Sequence, residues 1–193
     1  MDDKMLQLVN EYNNINKMTG ADHGKEAFNF TQKNNIVGLK VTNVTNRIFD
    51  PDLPLSIKDL GNDNIDDGHF YGIRKGNGKY LVLPKFSRTY VPLVHGSLGA
   101  GELFNSNYNP EKMEVSDIEL NEPAEIELGE NGEVKVKSNG NLKLHQRNSY
   151  HGTGNTENSS KFNEQSSDPL GNQENTSHQK IHKTPPPPEP TIT

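Results

Sequence analysis

Phe70-Tyr71-Gly72-Ile73-Arg74-Lys75-Gly76-Asn77-Gly78-Lys79-Tyr80-Leu81-Val82-Leu83-Pro84 sets two apolar runs on either side of a Gly/Asn centre. Asn77-Gly78 supplies the two positive-φ residues of a type I′ turn, whose twist suits a pair of antiparallel strands. A two-residue turn there predicts Ile73 opposite Val82 and Tyr71 opposite Pro84 on one face. Phe70, Leu81 and Leu83 then fall on the other. A hairpin apolar on both faces needs cover on both, which a barrel or a covered sheet provides.

A second hairpin follows downstream. Ala124, Ile126 and Leu128 alternate with Glu125 and Glu127, and Val134 and Val136 alternate with Lys135 and Lys137. A three-residue loop, Glu130-Asn131-Gly132, predicts Leu128 opposite Val134 and Ile126 opposite Val136. Glu127 then meets Lys135 and Glu125 meets Lys137, and a one-residue slip would bury charge. Ile36–Val41, residues 101–104, Val115–Leu120 and Leu142–Leu144 read as further short strands. Between the first two lies an irregular stretch of about twenty residues after Arg47, broken by Asp50-Pro51, Leu53-Pro54 and Gly61 to Gly68. About six short strands with tight turns predict a mainly β (α+β) fold, a small antiparallel SH3-like barrel or roll.

Ahead of the strands, Met5, Leu8, Val9, Tyr12 and Ile15 recur at helical spacing, so a short helix over 4–17 is expected, capped by Asp2 or Asp3 and closed by Gly20. Phe28 and Phe30 read as a bridge to the first strand. Residues 146–193 are rich in Asn, Ser, Gln and Thr and end in the proline-rich Thr184-Pro185-Pro186-Pro187-Pro188-Glu189-Pro190. The division expected is therefore 1–32 helix and bridge, 33–145 β domain and 146–193 disordered tail. The proline run reads as a spacer, lacking Lys or Arg at the offsets that orient common SH3 ligands.

Composition narrows the function classes. Apolar residues make up 30%, against about 45–50% in globular domains when Gly is counted. The chain carries −6, and within residues 1–145 there are 16 Lys and Arg against 21 Asp and Glu, a difference of −5. That balance repels phosphate backbones, so no nucleic-acid partner is expected. No apolar run approaches the ~20 residues that span a bilayer, and the start lacks a leader's pattern, so a cytoplasmic location is expected. The absence of cysteine excludes disulfides and thiolate chemistry.

Several motifs have a familiar cadence: Leu8-Val9 with Glu11-Tyr12-Asn13, Phe70-Tyr71-Gly72-Ile73 with Tyr80-Leu81-Val82-Leu83-Pro84-Lys85, Glu122-Pro123-Ala124-Glu125-Ile126, and Gly140-Asn141-Leu142-Lys143-Leu144. Over residues 5–145 the chain resembles an uncharacterised small β-barrel domain common in cyanobacterial proteins. It departs from that pattern in a longer glycine-rich segment at 95–101. The resemblance carries no catalytic residues with it.

The chemistry-bearing candidates lean towards binding. His95-Gly96-Ser97-Leu98-Gly99-Ala100-Gly101 matches neither a phosphate loop nor a nucleophile elbow, so it reads as a flexible loop. Asp63, Asp66 and Asp67 lack the spacing of a calcium loop, the histidines are scattered, and no metal or cofactor is expected. Nine acidic residues between Glu111 and Glu133, Glu119, Glu125 and Glu127 among them, read first as a solvated face and second as a docking face for a basic partner. Phe86, Tyr90, Phe104 and Tyr108 cluster around the first hairpin and the loop after it, as core or as the lining of a groove. The function expected is a non-catalytic protein-interaction or adaptor module. The alternative is an assembly component that self-associates through sheet edges, and the oligomeric state is left open.

Overall fold

The computed structural model describes residues 2–86 and 89–146. Apart from Gln146, the tail expected over 146–193 lies outside the described residues. Two helices lead, α1 (Asp3–Asn16) and α2 (Ala21–Lys33), followed by β1 (Ile36–Val41), α3 (Val44–Phe49), β2 (Ile57–Asp59), β3 (Phe70–Gly76) and β4 (Lys79–Pro84). Two single-turn helices come next, α4 (Pro92–His95) and α5 (Ala100–Leu103). The chain then forms β5 (Phe104–Ser106), β6 (Val115–Glu122), β7 (Ala124–Leu128), β8 (Val134–Ser138) and β9 (Gly140–Gln146).

Six strands make an antiparallel sheet in the order β2-β1-β3-β4-β7-β8. It curls until its outermost strands meet at one bridge, Ser56 to Glu133. The Ile57 N–H donates to the Gly132 carbonyl at 2.8 Å and the Val134 N–H to the Leu55 carbonyl at 3.2 Å. The sheet is thus a half-barrel, mainly β as expected. A second sheet, β5-β9-β6, packs beside it, and its β5–β9 pair is parallel.

The Asn77-Gly78 turn forms with both residues at positive φ (52° and 71°). A bulge between Arg74 and Gly76 then shifts the pairing by one, so Ile73 faces Leu81 and Tyr71 faces Leu83, which corrects the expected register. Gly76, at φ 88°, takes the left-handed position that admits the extra residue. The shift puts Tyr71 on the side of the helices, 5.4 Å from the Phe86 ring. Phe70 points to the second sheet, 6.3 Å from Phe104. Both apolar faces are covered. In the second hairpin Leu128–Val134, Ile126–Val136 and Glu127–Lys135 pair as predicted, but a bulge at Glu125 places Ser138 opposite it instead of Lys137.

Helix α1 is capped as expected: the Asp2 Oδ1 accepts from the Met5 N–H at 2.7 Å, and Leu8, Val9, Tyr12 and Ile15 are buried. The expected bridge at Phe28 and Phe30 is instead the second half of α2, which buries Phe30 and leaves Phe28 exposed. Tyr12, Phe30, Tyr71 and Phe86 share one aromatic core, so residues 1–32 are no separate piece of the body. The irregular stretch after Arg47 contains β2, which pairs with β1. Residues 101–104, read as a strand, begin as the turn of α5 and extend only from Phe104.

Candidate functional site

Of the four aromatic candidates, three are core. Phe86 stacks on Tyr12 at 4.9 Å, and Phe104 is wedged against Gly140, where an added Cβ would lie 2.5 Å from its ring. Tyr90 is 3% exposed. Only Tyr108 is half-buried. Of the groove expected around Phe86 to Tyr108, Phe86 and Phe104 are buried in the core, and Tyr90 and Tyr108 line a concavity.

Local sequence explains that part. Val91 is extended and Pro92 opens the turn of α4, its fixed φ suiting a first helical position. The turn brings His95 Nδ1 to 3.0 Å from the Tyr90 hydroxyl. On the opposite strand pair, the Asn107 side-chain amide donates to the Leu144 carbonyl at 3.0 Å and accepts from its N–H at 2.8 Å. That clamp fixes the chain just before Tyr108. The Tyr108 ring lies 5.0 Å from Tyr90 and 5.0 Å from His95, both within the range of favourable edge and tilted aromatic contacts.

Beside this cluster is a groove of about 400 Å³, lined by Tyr90, Pro92, Tyr108, Pro110, Met113 and exposed Glu114 among others. Burial pushes the Tyr90 hydroxyl up to about 12, with the Ser106 hydrogen bond acting the other way and Tyr108 adding to the rise. Burial likewise raises Tyr108 and lowers His95. The three rings are uncharged at neutral pH, and Glu114 is the single charged residue of the lining.

The chain matches no protein-family model, no curated protein and no solved structure. What the site can do is read from its own chemistry.

The acidic candidates do not form one face. Glu119 belongs to β6 in the smaller sheet, with His145 Nε2 at 2.9 Å and Lys143 Nζ at 3.7 Å. The His145 hydrogen bond, ahead of opposing desolvation, holds its carboxyl below the ordinary range. Glu125 and Glu127 belong to β7 in the larger sheet, and Glu127 is paired with Lys137, which lowers its carboxyl too. Two of the three already have cationic partners in the same molecule.

A second concavity, about 430 Å³, opens at the seam of the half-barrel between Lys58 and Asp59 on β2 and the Gly129–Gly132 turn. Next to it Asp59 accepts from Arg74 at 2.8 and 3.0 Å, from the Tyr80 hydroxyl at 2.8 Å and from the Gly61 N–H at 2.7 Å. That set ties β2, β3 and β4 together.

The glycine-rich segment at 95–101 is held, not loose. Arg47 is 2% exposed and donates to the carbonyls of Ser97 (3.2 Å), Gly96 (3.3 Å) and Leu53, and to the Glu102 carboxylate. Among the described residues no hydrogen bond joins His95 to Ser97, and no group of three His, Asp or Glu is placed to hold a metal ion. No described helix is long and apolar enough to cross a membrane. Arg47 was absent from the sequence candidates, since a lone arginine after an Asn-rich strand end carries no signal of burial.

Proposed function

We propose that this domain is a non-catalytic protein-interaction module that takes an extended segment of a partner into the groove beside Tyr108. The observation that carries the reading is the position of Tyr108. Its ring packs against Tyr90 and His95 and lines a concavity together with two prolines and a methionine. Aromatic anchors on a rigid frame are the side chains that most often dominate protein-binding energy, because they bury large area at small entropic cost. Glu114 in the lining favours a partner with a basic residue.

The test is cross-linking of the full chain with a photo-reactive phenylalanine analogue at position 108 and, as a control, at exposed Lys40 on β1. A protein adduct at 108, missing at 40 and lost when Met113→Ser is added to the position-108 protein, is expected. An adduct pattern indifferent to position ends the reading.

The second reading, self-association through sheet edges, draws on β8, which has a strand on one side only beyond Val134. Lys135 and Lys137 lie along that edge, where charge discourages pairing with another copy. On the smaller sheet, α1 occupies the outer edge of β6. A strict monomer by sedimentation at high concentration would eliminate this reading.

A further inference from the structure

The geometry points to a narrower ligand class for the Tyr108 groove, an inference that rests on the interaction reading above: a proline-rich segment in polyproline II conformation carrying one Lys or Arg.

The walls favour that backbone over a strand. Pro92 and Pro110 have no N–H to offer a ladder and present ring faces to the groove, and of its lining only Val115 belongs to a strand. A polyproline II segment needs no ladder, because it makes no internal hydrogen bonds and is already extended before it binds. Its pyrrolidine rings pack on flat apolar surfaces, and Tyr108, Pro92 and Pro110 are such surfaces. Its outward carbonyls need donors. The Tyr90 hydroxyl is engaged with His95 and Ser106. The Tyr108 hydroxyl has no hydrogen-bond partner among the described residues, which leaves it to donate to a ligand carbonyl. The charge requirement follows from Glu114: a cation on the ligand is complementary to it, and an acidic residue is repelled.

The groove is also built to keep its shape. Asn107, next to Tyr108 in the chain, is bonded to Leu144, and the Lys112 carbonyl, next to Met113, accepts from the Gln146 side chain at 3.1 Å. Ordering cost then falls mainly on the ligand, and a proline run has little to pay.

Fluorescence anisotropy on the full chain tests this with three labelled peptides: Ala-Pro-Pro-Pro-Pro-Ala-Arg, the same peptide with its prolines replaced by alanine, and the same with Glu in place of Arg. A Pro185→Ala, Pro186→Ala, Pro187→Ala, Pro188→Ala variant run alongside keeps the chain's own proline run from competing with the probe. Saturable binding of the first peptide is expected with a Kd on the order of 100 μM. The alanine peptide should bind at least about tenfold more weakly. Glu114→Gln should remove most of the difference between the Arg and Glu peptides. Tyr108→Phe should weaken the proline peptide several-fold if the hydroxyl donates, and Met113→Ser, an independent wall variant, should weaken it as well.

Equal affinity for the proline and alanine peptides overturns the inference, as does no saturable binding of the proline peptide at about 1 mM. If either result accompanies a cross-linked partner at position 108, the ligand class is wrong and the interaction reading stands. If position 108 captures nothing as well, both fall.

Discussion

The side-chain amide of Asn13 is bonded to the backbone of Leu120 as a neighbouring strand would be: its Nδ2 donates to the Leu120 carbonyl at 2.8 Å and its Oδ1 accepts from the Leu120 N–H at 2.9 Å. Two residues along β6, Asn16 Nδ2 donates to the Ile118 carbonyl at 2.9 Å. Helix α1 thereby closes an edge that would otherwise expose unpaired peptide groups. Asn107 does the same for Leu144 on β9.

Removing that amide should therefore cost more than a surface substitution. Asn13→Ala leaves a partly buried donor and acceptor without partners, and about 1–3 kcal/mol should be lost in urea unfolding. Asn13→Asp keeps the acceptor but turns a carboxylate on the Leu120 carbonyl. Its deficit should be larger at pH 7 than at pH 4, where a protonated acid again donates. An Asn13→Asp deficit that does not change with pH would show that the amide is not acting as a strand.

Tyr12 offers the opposite case. It is fully buried, stacked on Phe86, and its hydroxyl has no hydrogen-bond partner among the described residues. Burial drives that hydroxyl far above its ordinary value, so it stays neutral. Tyr12→Phe removes a desolvated polar atom and keeps the ring. It should be neutral or stabilising by up to about 2 kcal/mol. Tyr12→Ala should cost about 3–5 kcal/mol through the cavity it leaves. A Tyr12→Phe variant that loses stability would mean the hydroxyl has a bonded water or other partner.

These asparagines also mark where sequence reading stops. By propensity, asparagines near the end of α1 signal only a weak helix end. Nothing local says that Asn13 meets Leu120, 107 residues away. The turn at Asn77-Gly78 was legible because its chemistry is local, whereas the bulge at Arg74–Gly76 that flips the hairpin faces reflects what each face must pack against. Strand β2 was hidden by its three-residue length among Leu53-Pro54 and Gly61. Helix α2 was hidden by Gly24 and its polar surroundings. The clustering of aromatics was visible, but sorting them was not. Phe86 is core because α1 and α2 cover it, and Phe104 because β9 crosses at Gly140, both long-range facts. Tyr108 beside Tyr90 and His95 depends on the loops between β4 and β6 folding back together.

Asp59 should contribute to the acid limb of stability. Burial pushes its carboxyl up, but the Arg74 bond, the Gly61 N–H and the Tyr80 hydroxyl together hold it below the ordinary value of 3.8. A carboxyl depressed in the folded state stabilises fully above its unfolded value and loses that contribution as pH falls through the lower folded one. Asp59→Asn should therefore be less stable than the parent at pH 7, with the gap shrinking below about pH 4. Denaturant midpoints at pH 7, 4 and 2.5 measure it. A gap constant with pH would place the acid sensitivity elsewhere.

Arg47 tests which of its partners matters. Its guanidinium is buried, yet Glu102 is 46% exposed, so the carboxylate keeps much of its hydration. The carbonyls of Leu53, Gly96 and Ser97 lie on two segments that this side chain joins. Glu102→Gln should consequently cost less than about 1 kcal/mol, as for an exposed ion pair. Arg47→Met, which fills similar volume but orphans the carbonyls, should cost about 2–4 kcal/mol. It should also raise hydrogen exchange at Gly96–Leu98, next to His95 and the groove. If Glu102→Gln proved as damaging as Arg47→Met, the ion pair would be the clamp, and the glycine-rich segment would owe its place to charge instead of carbonyl bonding.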